Sequence, residues 1–264
     1  MMMIFSDLLG ANASDQITPD RIAAGTDKGL TRPHNEDDFL SLSLPGDKIS
    51  LAVVTDGMGG HDGGELASYF AIEALSKIWR GFGSTEHKAR DSEDLLVDAI
   101  KKLNGRIHSV NDQLQISRAM GTTITAGLIT PSKMIVAHVG DSRAYFCRGG
   151  KVKQITEDHT WVAKMVKLGN LSRAEAENHP LSHLLSNCIG ASPVVEVSVY
   201  HHKRKVDDRY LFCTDGLYGS MSPKELQRIM KAHENPRDTL KELIYCSLRG
   251  GGKDNITGIV LFDA

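Results

Sequence analysis

The chain has 264 residues, 41% of them hydrophobic and 24% charged, with a formal net charge of −2. That length allows one large domain or two small ones with a sizeable core, and the composition is that of a soluble globular protein. The small net charge gives no general reason to bind nucleic acid or an acidic membrane, and the apolar runs, such as Leu51–Val54 and Ile259–Phe262, are far too short to cross a bilayer.

Along the chain, the opening MMMIFSDLLGANASDQ has no basic n-region and is interrupted by Asp7, so no secretory signal is expected. Residues 1–21 read as a polar extension, disordered in part, ahead of one domain over residues 22–264. Lys48–Asp56 is a short apolar run ending in a turn signal. Glu65–Trp79 and Asp94–Leu114 repeat their apolar residues with one helical face. Gly121–Thr130 is rich in β-branched residues. Lys133–Arg148 holds two apolar runs around Gly140–Arg143, and Gly149–Gly150 turns the chain into KVKQIT. Residues 159–190, with three histidines, read as an insertion of short amphipathic pieces packed on the domain. Val194–Val206, Asp208–Asp215 and Asn255–Asp263 are further strands. Ser222-Pro223 and Asn235-Pro236 start two helices, the second ending near Gly250. Strands group together without regular βαβ alternation, which predicts an α+β fold with mainly antiparallel sheets covered by helices.

The four cysteines, Cys147, Cys188, Cys213 and Cys246, form no CxxC pair, which disfavours a zinc knuckle or redox pair. Cys213 and Cys246 read as buried free thiols, and a cytoplasmic compartment is expected.

The chemistry concentrates where apolar runs end in acids. VVTDGMGG (53–60) and FCTDGLYG (212–219) both end a strand in Thr-Asp-Gly. VAHVGDSR ends in Asp141, Asp254 stands before the last strand, and Glu36 and Asp37 precede or begin another. Were these ends to converge, carboxylate repulsion would be severe without counter-ions. An all-oxygen donor set favours Mg²⁺ or Mn²⁺ over zinc or copper. A single Asp-Gly after a strand is usually only a turn, so spacing alone leaves turn and metal site evenly matched. A Walker loop, a dinucleotide fingerprint and a GxSxG elbow are not found.

The motifs TDKGLTRPHNEDD (26–38), VVTDGMGGHDGGELAS (53–68), GTT (121–123), VAHVGDSRAY (136–145), ITEDHT (155–160), FCTDGLYG and GGKDNITGIVL (251–261) occur in the order of one known family. The chain resembles the metal-dependent protein serine/threonine phosphatases of protein phosphatase type 2C, in their bacterial form. The resemblance spans roughly residues 22–262. It implies an αββα sandwich of two antiparallel sheets with helices outside each. It implies that Asp56 bridges two Mn²⁺ or Mg²⁺ ions. Glu36 and the Gly57 carbonyl would complete one ion's protein ligands, and Asp215 and Asp254 would hold the other. Asp37 would orient metal waters, and Arg32 would grip the phosphoryl oxygens while a metal-activated water attacks phosphorus.

Two departures stand out. Some relatives carry a histidine after the first Asp-Gly as a proposed general acid; here that residue is Met58, leaving a metal water or His61 for the role. A third ion, held in many relatives by Asp141, Asp215 and an acid or amide four residues later, meets Gly219 here and is expected to bind weakly. The remaining candidates read as structural. The basic run HHKRK (201–205) is a solvated strand edge, His159 makes structural hydrogen bonds, His179 and His183 lack an HExxH pattern, and Trp79 and Trp161 pack. The partners implied are phosphorylated proteins and a serine/threonine kinase system, with the enzyme a monomer and segment 159–190 the family's flap. A silent phosphoprotein-binding module and a phosphatase of small phosphoesters are the rival readings.

Overall fold

The computed structural model describes residues 21–43, 50–60, 62–82, 89–114, 119–177 and 179–263. Residues 1–20 of the expected extension and His61 lie outside them.

Two antiparallel sheets form the centre. The first runs β1 (Ile22–Asp27), β11 (Ile256–Phe262), β10 (Arg209–Cys213), β7 (Arg143–Arg148) and β8 (Lys151–Gln154). The second runs β2 (Asp37–Ser43), β3 (Ser50–Met58), β5 (Ile124–Ile129), β6 (Lys133–Val139) and β9 (Ser198–Lys203), with the two-residue β4 (Gly121–Thr122) paired to the end of β3. Alternation along each strand assigns its side chains to two different layers. Ala52 and Val54 face inward with Tyr210, Phe212 and Ile259, filling the space between the sheets. Val53 faces outward into a layer with Leu75 of α1 (Asp62–Phe82) and Ile100 of α2 (Ala89–Leu114). On the other side, Leu211 and Val260 pack on Ile229 of α6 (Pro223–Ala232) and Leu243 of α7 (Pro236–Arg249). The order helix, sheet, sheet, helix is the expected αββα sandwich, and β3, β5 and β11 are buried on both faces because each sheet is covered twice.

The helix starts follow the local chemistry. Ser222 and Asn235 accept hydrogen bonds from the N–H groups of Glu225 and Asp238, and a proline sits in each first turn.

Several boundaries differ from the sequence expectation. Strand β1, too short and alanine-rich to stand out, forms because β11 offers an antiparallel partner from Ile22↔Leu261 to Asp27↔Ile256. The two runs of Lys133–Arg148 do not pair with each other. They belong to different sheets, and Gly140 (φ 107°) makes the crossing. The strand expected to reach Asp215 ends at Cys213, and Asp215 instead opens the single-turn α5 (Asp215–Tyr218). The expected strand Val194–Val206 is confined to β9. Cys213 is buried as expected, whereas Cys246 is only half-buried. Trp79 packs in the outer core; the partly exposed Trp161 lies against His179 at 5.1 Å between ring centroids. β9 is an edge strand, yet Arg204 just beyond it is tied to Asp263 rather than solvated.

Candidate metal centre

The acids singled out in the sequence gather at one end of the sandwich. The β2–β3 register sets Asp37 directly opposite Asp56. Asp56 is held at the backbone on both sides: its N–H donates to Thr123 Oγ1 (3.0 Å), and its carbonyl accepts from Thr123 N–H (2.9 Å) and Thr122 Oγ1 (3.0 Å). From the opposite sheet, Thr214 Oγ1 donates to Asp37 Oδ2 at 2.8 Å, just before Asp215 enters α5. Asp254 lies in the loop before β11, where Arg32 Nη2 meets its Oδ2 at 2.7 Å. Both partners are substantially exposed, so this contact contributes little to stability and leaves the guanidinium free to exchange partners.

Gly57 explains the glycine after Asp56. Its N–H donates to the Glu36 carbonyl (3.1 Å), and a β-carbon there would fall 2.6 Å from that oxygen and against the Gly64 carbonyl as well. Gly57→Ala is therefore expected to cost about 2–3 kcal/mol in urea unfolding, because backbone rather than a flexible side chain must give way.

The Asp141 carboxyl joins from the crossing between the sheets. Tyr218 of α5 donates its hydroxyl to the Asp141 carbonyl (3.1 Å), and the Arg143 guanidinium lies 3.7 Å over the Tyr218 ring while forking onto Asp158. One stacked pair thus ties the Asp141 turn to the helix that carries Asp215.

Burial and mutual repulsion raise the pKa values of the acids at this end. Burial, then the neighbouring Asp37, Asp215, Asp141 and Asp254, pushes the Asp56 carboxyl well above the usual range. Asp37 is likewise raised by burial, against the hydrogen bonds from Thr257 and Thr214 that hold it down. Asp215 is raised by burial and by Asp254, and Asp141 is pushed up to about 7 by burial and by Asp215. Glu36 is raised by burial, with Arg32 opposing. Carboxyls raised in the fold hold protons that the unfolded chain has already released. The metal-free protein should therefore lose stability as pH climbs from the ordinary carboxylate range through about 7. Urea midpoints in chelator at pH 5.5 and 8 measure this, and a midpoint rising with pH would contradict it.

Among the described residues, no three acidic, histidine or cysteine side chains close into a ready coordination shell. Thr214 occupies one oxygen of Asp37, and Arg32 one of Asp254. The donor set nonetheless fits divalent cations. Several buried carboxyls raise one another's pKa, and a hard dication is the counter-charge such an oxygen set accepts.

Met58 carries no proton to donate, and Gly219 caps α5 through its N–H to the Asp215 carbonyl (2.7 Å), presenting no side-chain ligand. His183, from segment 159–190, reaches to 4.0 Å from Asp215. Sequence reading passed over Asn255, whose amide donates to the Lys28 and His34 carbonyls while its Oδ1 accepts from Glu36 N–H, each at 2.9 Å. It also passed over Thr214, Thr123 and Tyr218. Thr214 and Asn255 stand beside an acid in the motifs, whereas Thr123 and Tyr218 do not, and neither placement singles a residue out.

The sequence model described as protein phosphatase 2C matches residues 26–244. The serine/threonine phosphatase stp of Listeria innocua is 32% identical over 236 residues, covering 89% of this chain and 93% of that protein. The structure of the S. agalactiae serine/threonine phosphatase superposes with a TM-score of 0.84 at 29% identity, over 92% of this chain and 99% of that one. The catalytic domain of PstP in complex with two manganese ions superposes at 0.78 with 32% identity, covering 92% and 98% of the two chains. The fold is that of a metal-dependent phosphatase. The chain belongs to the protein phosphatase 2C family, as a serine/threonine protein phosphatase with bacterial relatives.

Proposed function

We propose that this chain removes phosphate from phosphoserine and phosphothreonine in proteins at the acid-lined end of the sandwich, using Mn²⁺ or Mg²⁺. The observation that carries the reading is the meeting of Asp37, Asp56, Asp215 and Asp254 from both sheets, with Arg32 at the rim. Glu36, Asp56 and the Gly57 carbonyl would hold one ion; Asp56, Asp215 and Asp254 would hold the second. Bound there, the ions supply a water of lowered pKa and offset charge on the phosphoryl group. Arg32 trades its contact with Asp254 for the phosphoryl oxygens, which its planar guanidinium binds in pairs. Asp37, fixed by Thr214, accepts hydrogen bonds and orients water beside Asp56. With Met58 beside the site, no imidazole at that position protonates the leaving alkoxide, which leaves that proton to a water in the site or to His61.

The enzyme would act in the cytoplasm as a monomer, reversing a serine/threonine kinase in signalling. Among the described residues, no helix is long and apolar enough to cross a membrane. Segment 159–190 would be the flap of the family, and the approach of His183 to Asp215 supports a role in choosing substrates. Turnover of a phosphothreonine peptide beside sugar phosphates and nucleotides tests the substrate class. A preference for the small esters would overturn the protein reading.

A third ion at Asp141 and Asp215 would bind at least tenfold more weakly than the first two, because Gly219 adds no donor. Calorimetric titration with Mn²⁺ is expected to give two tight equivalents and one weak one. Three equal equivalents would contradict this.

A further inference from the structure

Both ends of segment 159–190 meet on one imidazole. His159 N–H donates to the Gly140 carbonyl (2.7 Å), and Gly140 N–H donates back to His159 Nδ1 (3.2 Å). At the far end, Asn187 Nδ2 donates to the same Nδ1 (3.0 Å) and to the Glu196 carbonyl (2.7 Å). His159 Nε2 lies 3.0 Å from Ser198 Oγ on β9. The main chain follows the same closure: Ser186 N–H donates to the His159 carbonyl (2.8 Å), and Thr160 pairs with Leu185.

This pattern fixes the tautomer. Nδ1 faces two N–H donors and carries no hydrogen, so the hydrogen sits on Nε2 and is donated to Ser198. Burial lowers the His159 pKa and favours this neutral form. The buried His138 ring packs against it, with centroids 4.7 Å apart. Gly140, the other half of the contact, has φ 107°, and a β-carbon there would lie 2.6 Å from Thr123 Cβ. The turn before Asp141 is thus held between Thr123 on one side and His159 on the other, and Thr123 also holds Asp56.

We propose that His159 and Asn187 are a clasp: two positioning residues that pin both ends of segment 159–190 to the Gly140 turn and so hold the segment over the acid cluster. The segment between the pinned ends carries α3 (Trp161–Lys167), α4 (Arg173–Glu177) and His183. Three hydrogen bonds meet at that ring beside the main-chain pairs, so its loss should loosen the closure of the segment without unfolding the sheets.

The segment supplies its own reporter, because Lys164, Lys167 and Arg173 are exposed tryptic sites inside it. Trypsin cleavage after these residues is expected to be at least about tenfold faster in His159→Leu and Asn187→Ala. Cleavage elsewhere and the urea midpoint should stay close to wild type. His159→Asn places an amide oxygen where Nδ1 stood, and should restore slow cleavage. Freed of the clasp, the enzyme should show a phosphopeptide KM raised by about fivefold or more, with kcat on a small aryl phosphate within about twofold. This kinetic arm rests on the phosphatase reading, whereas the cleavage arm does not, so the two can fail separately. Unchanged cleavage in the segment, acceleration spread over the whole chain, or His159→Asn behaving like His159→Leu would overturn the clasp. Should His159→Leu fail to fold, Asn187→Ala decides alone by the same cleavage comparison.

Discussion

Asp56→Asn is expected to lower phosphate release by about a thousandfold or more while making the metal-free protein more stable. The two effects share one cause. The carboxyl is buried among Asp37, Asp215, Asp141 and Asp254, and its pKa is driven well above the ordinary carboxylate range. At pH 8, folding without metal must either protonate this group or tolerate its repulsion, and asparagine removes that cost at almost constant shape. The gain should be on the order of 1–3 kcal/mol in chelator, and should shrink toward acid, where the native carboxyl is protonated anyway. With Mn²⁺ present the ranking should invert, because the wild type gains binding energy that the variant cannot. Urea unfolding in chelator and in Mn²⁺, beside phosphate release, reads both effects. A variant that keeps its activity, or is destabilised without metal, would remove Asp56 from the centre of the account.

The second large effect belongs to Arg32. Arg32→Ala should reduce kcat/KM on a phosphothreonine peptide by about a hundredfold or more, with little change in the urea midpoint. The side chain is about half exposed and its contact is with Asp254, itself at the rim, so the fold loses almost nothing. Arg32→Lys should recover only a small part of the loss, because an ammonium offers a point charge where two parallel N–H donors are needed. Full recovery by lysine, or a loss of stability matching the loss of rate, would contradict a phosphoryl-binding role.

Much of this centre could be read before the fold was seen, because it sits at strand ends. Asp-Gly after an apolar run at 56 and 215, and the Gly-Asp pair at 140–141, are local patterns carrying their own chemistry. That they converge is a property of topology, which the sequence does not print. Nothing in Lys133–Arg148 says that its two halves enter different sheets, yet that crossing brings Asp141 toward Asp215. The residues that hold the acids in place were illegible for the same reason. Asn255 bonds to three backbone groups, all of them more than two hundred positions away. Thr214 reaches Asp37 across 177 positions. Residues such as these look like ordinary turn and strand residues until the sheets are stacked. Strand β1 was missed because its stability comes from pairing with β11 rather than from its own composition.

On this reading the carboxylates act only with divalent cations between them. Phosphate release from a phosphothreonine peptide by the wild-type protein, measured in Mn²⁺ and in excess chelator, tests this metal dependence directly. Steady release is expected with Mn²⁺, and none in chelator from a protein that remains folded. Release that persists in chelator, or no release from any phosphopeptide at any Mn²⁺ concentration, would contradict it.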